Sequence, residues 1–148
     1  MKTRSTNYII FECLSRSANE GFARGTVACF AAQLDPTLEE LGDIKTAVSE
    51  AVTNAIVHAY PDTLGRIVVK ARVLEDHVLE IVVRDWGKGI PNVEQARQPL
   101  YTTGGEERSG MGFTIMESFM DSLYVRSIPG KGTRVTMRRR IKPRRTGP

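Results

Sequence analysis

The chain has 148 residues, 41% hydrophobic and 26% charged, the size and balance of one ordinary globular domain that needs neither disulfides nor a structural metal. No apolar run approaches the roughly 20 residues that cross a bilayer, and Met1 to Asn7 lead into no signal-peptide pattern, so the expected location is the cytoplasm. The net charge of +4 is unevenly divided: residues 138–148 (RRRIKPRRTGP) hold six of the 21 basic residues and none of the 17 acids, leaving 15 − 17 = −2 for the rest.

The expected organisation is therefore a single domain over residues 1–140 and a basic, disordered tail over 141–148. Direct DNA binding is not expected, because no aromatic or groove-reading motif accompanies the arginines. Cys13 and Cys29 form no CxxC pair and lie near neither His58 nor His77, so both read as semi-buried thiols and not as zinc ligands.

Tyr8 to Leu14 is rich in aromatic and β-branched residues and predicts a strand. Ser17 and Glu20 then stand in capping-box spacing, opening a helix with Phe22, Ala23, Val27, Phe30, Ala31 and Leu34 at helical intervals. Asp35-Pro36 ends it. Thr37 and Glu40 repeat the capping-box pattern, and Leu41, Ile44, Val48, Ala51, Val52, Ala55 and Ile56 place an apolar face on a second helix that runs to about His58. Ile67 to Leu74 and Val78 to Asp85 predict a hairpin around Glu75-Asp76-His77. The irregular stretch Trp86 to Arg108 is long for a compact domain and reads as a functional lid. A short helix over Gly112 to Met120 follows, then strands Leu123 to Ser127 and Thr133 to Arg140. The order β-α-α-β-β-lid-α-β-β predicts an α/β two-layer sandwich, helices gathered on one face of a mixed, mostly antiparallel sheet.

Three elements carry chemistry. Glu50, Asn54 and His58, four apart, form one polar stripe beside the apolar face of the second helix. Asparagine is a mediocre helix former, and its amide oxygen is a suitable hard ligand for Mg²⁺. Asp85-Trp86-Gly87-Lys88-Gly89 closes a strand; its aspartate can accept a hydrogen bond from the exocyclic amine of adenine, and its glycines let the backbone come close. Gly110-Met111-Gly112, after Arg108-Ser109 and before a helix, offers backbone N–H groups as a phosphate cradle, with Arg108 adding charge. Each alone is also consistent with a solvated helix face, a plain turn or a flexible joint. Gly130-Lys131-Gly132-Thr133 is not a P-loop, because Gly132 stands where the hydroxyl residue should follow the lysine.

Taken in order, ExxxNxxxH on a helix, DxGxG after a strand, a lid, GxG and a closing Gly-Thr resemble the boxes of the GHKL ATP-binding superfamily, which includes gyrase, histidine kinases and MutL. Within it, Ser49 to Ile56, Ala96 to Thr103 and Glu107 to Glu117 resemble the sporulation anti-sigma F factors, a family of serine kinases; the likeness runs from about Phe22 to Thr133. The resemblance implies that Glu50 is the general base for a serine hydroxyl and Asn54 the Mg²⁺ ligand. It implies that Asp85 reads adenine, with Gly87 and Gly89 shaping its pocket and Thr133 supporting it. Thr102, Thr103, Arg108, Ser109, Gly110, Met111 and Gly112 would close over the phosphates of ATP. Glu20 and Arg24 would contact partners. Such members bind an RNA polymerase sigma factor as homodimers and release it to an anti-anti-sigma factor, which they phosphorylate on serine.

The residues leave two further readings. One is a sigma-binding module that needs ATP for its shape and transfers nothing; Glu50 argues against it, since a pure binder needs no carboxylate near the terminal phosphate. The other is a histidine-kinase catalytic domain, which fits less well because no helical segment with a phosphoacceptor histidine stands ahead of it in these residues. Trp86 and Gly104-Gly105 depart from the family pattern; Trp86 is expected to pack on the nucleotide or on the lid.

Overall fold

The computed structural model describes residues 4–98 and 107–143, and of 107–110 only the backbone. Five strands form one sheet in the order β1-β2-β3-β5-β4: β1 (Ser5–Leu14), β2 (Arg66–Leu74), β3 (Val78–Asp85), β4 (Ser122–Ile128) and β5 (Gly132–Arg140). All four pairings are antiparallel, which corrects the predicted mixed sheet: β1 runs antiparallel to β2 at one edge and β5 antiparallel to both β3 and β4, so no parallel pair forms. The alternation of β2 puts Ile67, Val69, Ala71 and Val73 inside; Leu79, Ile81 and Val83 of β3 and Val135 and Met137 of β5 share that face.

Helices α1 (Ala18–Ala31), α2 (Leu38–Asn54) and α4 (Glu107–Phe119) cover this face, and a short α3 (Val93–Arg97) stands between β3 and α4. Ile44, Ala47, Val48, Ala51 and Val52 of α2 are almost wholly buried and form the centre of the core. The chain leaves α1 through a 3₁₀ turn, Ala32–Leu34, and Asp35 in the left-handed region (φ 51°). The β2–β3 hairpin turns through Asp76 and His77, both also left-handed.

The two capping-box patterns behave differently. At α2, Thr37 accepts from the Glu40 N–H (3.0 Å) and Glu40 accepts from the Thr37 N–H (2.9 Å), a complete box. At α1 no cap forms, because Ser17 itself has helical dihedrals and makes no side-chain cap bond. Glu20 turns instead to Arg24 (3.3 Å) and to the Ser49 hydroxyl of α2. Two other expectations are corrected. Phe22 is 62% exposed, set edge-on against Phe11 and outside the core, and Cys29 is exposed.

The packed body also passes the composition boundary at Arg140. Ile141 is fully buried, its N–H bonds the His77 carbonyl, and the Lys142 N–H bonds Glu40. Arg138 and Arg139 are part of the sheet, paired with Glu80 and Asp43, so the basic character is not confined to a tail.

Candidate functional site

At the end of α2 the helix widens into a π-turn, Ala55–Ala59, a local form that recurs at functional sites. It lies beside the ends of β3 and β5, and a cavity of about 120 Å³ opens between them. Asn54, His58, Asp85, Gly89 and Thr133 line that cavity, and Ala51, Ala55, Val83, Phe113 and Val135 supply its apolar wall.

Asp85 is 7% exposed. Its Oδ1 accepts from the N–H groups of Gly87 (3.0 Å) and Thr133 (3.2 Å), which leaves Oδ2 for a ligand. Burial pushes its carboxyl above the ordinary aspartate value, while these two N–H groups pull it down. Thr133 is fixed in turn by a 2.8 Å hydroxyl contact with Ser127.

The turn after Asp85 is sewn onto the π-turn. The Lys88 N–H bonds the Ala59 carbonyl at 3.2 Å, and a Cβ on Gly87 would fall 2.3 Å from that same oxygen, so only glycine fits. Tyr60, 8% exposed, gives its hydroxyl proton to the Arg66 carbonyl and accepts from the Trp86 N–H, both at 2.7 Å. Sequence reasoning missed Tyr60. Its only signal was a hydroxyl-bearing aromatic at the end of the polar stripe, and nothing local shows that β2 and the β3 exit meet there.

Gly112 marks where α4 crosses α2. A Cβ built on it would lie 3.1 Å from both amide atoms of Asn54 and 3.4 Å from Oε1 of Glu50. Asn54 Nδ2 is buried and has no hydrogen-bond partner among the described residues. An orphaned Nδ2 donor fits a phosphate oxygen, and Oδ1 of the same amide, beside a carboxylate and next to a position kept free of side chain, is the atom that fits a hydrated cation.

The structure starts the last helix at Glu107, so Arg108, Ser109, Gly110, Met111 and Gly112 lie within α4 and not in a loop ahead of it. No proline interrupts residues 107–119, and burial of Phe113 and Met116 outweighs the roughly 1 kcal/mol that each glycine costs a helix. Met111 is exposed. Thr102 and Thr103 lie outside the described residues, as do the side chains of Arg108 and Ser109. Trp86 does not line the cavity of Asn54 and Asp85, against the expectation that it packs on a nucleotide there: its ring lies between Arg66 (3.9 Å) and Arg84 (4.7 Å) on the opposite side of the sheet. Glu20 and Arg24 are joined to each other on α1, and neither lines the cavity.

A histidine kinase-like ATPase domain profile matches residues 15–139. An anti-sigma F factor of Caldanaerobacter subterraneus is 59% identical over 136 residues, 91% of this chain and 94% of that one. Another, from Clostridium perfringens, is 56% identical over 91% of this chain and 97% of its own. Among solved structures, the RsbU and RsbW domains of a Mycobacterium tuberculosis protein superpose with TM-score 0.68 at 21% identity, over 92% of this chain and 32% of theirs. A histidine kinase domain from Erythrobacter litoralis gives TM-score 0.54 at 23% identity, over 82% and 61%. At those identities the structural likeness speaks for the fold alone.

Proposed function

We infer the function from one premise: this chain belongs to the histidine kinase-like ATPase family and, within it, to the anti-sigma F factors. We propose that it holds a sporulation sigma factor away from RNA polymerase and uses Mg²⁺-ATP to phosphorylate a serine of an anti-anti-sigma factor. It does so as a cytoplasmic homodimer; no helix among its described residues is long and apolar enough to cross a membrane. The observation that supports ATP as the ligand is convergence. The end of α2, the exit of β3 and the entry of β5 bring Asn54, Asp85 and Thr133 to one cavity, with Glu50 beside Asn54 at Gly112.

Phosphoryl transfer asks for positioning, charge neutralisation and an acceptor for the nucleophile's proton. Asp85 Oδ2 takes a hydrogen bond from the adenine amine, and the apolar wall excludes water from the ring. Asn54 would hold Mg²⁺ through its amide oxygen, and the ion, when bound, would neutralise charge at the phosphates. Glu50 orients the incoming serine hydroxyl and takes its proton. Arg108, Ser109, Gly110, Met111 and Gly112, with Thr102 and Thr103, close on the phosphates. Arg24 and Glu20 meet the protein partners on α1.

The test is transfer of label from ATP to the anti-anti-sigma partner. Wild type labels it, and Glu50→Ala lowers the rate by 10²-fold or more while ATP still binds. Equal labelling by both proteins removes Glu50 from the reaction. Tight sigma binding by wild type with no labelling at all leaves a binding module.

A further inference from the structure

The sheet face turned away from the helices carries a charge arrangement that the nucleotide cavity does not use. Strand register sets its residues in rows. In one row Arg72 and Arg138 flank Glu80, and each guanidinium grips the carboxylate at 2.6 to 2.9 Å. In another, Arg84 stands directly opposite Arg134, and Arg134 directly opposite Arg126. Like charges set opposite one another cost a sheet stability. All three arginines are exposed, and none has an ion pair among the described residues.

These arginines border a cavity of about 590 Å³ completed by Trp86, Ile128 and Lys131. Four cations line it against one acid, Asp85, whose Oδ1 is already committed to Gly87 and Thr133. The guanidiniums rise from three adjacent strands, so they span about 10 Å on a rigid base. A second copy of this face would bring arginines onto arginines, which disfavours self-association through it.

We propose that this cavity binds a row of phosphoryl groups, a charge density that four cations in one hollow require and that the guanidinium fork matches. A free oligophosphate and the backbone of a single-stranded nucleic acid share that chemistry. The cavity backs onto Asp85 and Thr133 from the reverse side, so its occupant shares a wall with the nucleotide site.

The experiment is a calorimetric titration of the full chain with tripolyphosphate, with and without saturating Mg²⁺-ATP, and with a 12-nucleotide single strand. Wild type takes up tripolyphosphate in the presence of ATP. Arg126→Gln/Arg134→Gln weakens that uptake at least tenfold with an unchanged or higher Tm, while Lys45→Gln on the helix side has no effect. Tighter binding of the strand than of tripolyphosphate, lost in the same double variant, identifies nucleic acid as the source; the reverse order identifies the free anion. The proposal fails if ATP abolishes tripolyphosphate uptake by wild type, or if the double variant binds as wild type does. It fails too if that variant loses Tm, which makes the arginines structural, or if poly-glutamate binds as tightly as either phosphate probe.

Discussion

Burial raises the Asp85 carboxyl against two backbone N–H groups that hold it down. An aspartate whose folded value lies above its unfolded value takes up its proton first in the folded form, so its contribution to stability improves as pH falls through that window. ATP binding moves the other way, since the protonated acid accepts poorly from adenine. We expect ATP affinity to decline on acidification from a pH above the ordinary aspartate value of about 4, and Asp85→Asn to flatten that limb. A wild-type profile that declines only below about pH 4 contradicts this. Gly112→Ala sets a methyl 3.1 Å from the Asn54 amide, and we expect at least tenfold weaker Mg²⁺-ATP binding, about 1.4 kcal/mol, on a folded protein. Asn54 and Asp85 were legible as candidates from their residue types in the ExxxN and DxGxG patterns and Thr133 from the family resemblance, and the fold brings all three to one cavity. Tyr60 and the orientation of Trp86 were not legible, because long-range contacts, Tyr60 with the Trp86 N–H and Arg66 with the Trp86 ring, decide both.

The two capping boxes show where local reading stops. Ser17-Ala18-Asn19-Glu20 and Thr37-Leu38-Glu39-Glu40 have the same pattern, yet only the second forms. Ser49 and Arg24 compete for Glu20, and no sequence window around Ser17 contains Ser49. Thr37→Ala is expected to cost about 1 kcal/mol, and Ser17→Ala no more than about 0.5 kcal/mol, read from urea unfolding. Tyr60→Phe removes the acceptor of the Trp86 N–H and should cost about 1–3 kcal/mol. Its ATP affinity should fall as well, because the Asp85 turn keeps only the Lys88–Ala59 bond of its two ties to the end of α2. Equal affinity in Tyr60→Phe and wild type would detach Tyr60 from the site.

On the scale of the whole molecule, the one-sided helical layer follows from the alternation of β2 and from the apolar face of α2, whereas the strand order follows from neither. The edge positions of β1 and β4 needed the register. So did the pairing of Glu80 with arginines from two different strands, 8 and 58 residues away. Glu80→Gln leaves both guanidiniums on the open face without their shared acid, and we expect a loss of about 1–3 kcal/mol, reduced by solvent because Arg138 is 44% exposed. Everything functional rests on one cavity taking a nucleotide. The most direct test is calorimetry with Mg²⁺-ATP on folded wild type, Asn54→Ala and Asp85→Ala. One site per chain in wild type, dependent on Mg²⁺ and weakened at least tenfold in each variant, is the expected result. No heat from wild type, or equal binding by all three proteins, contradicts the account.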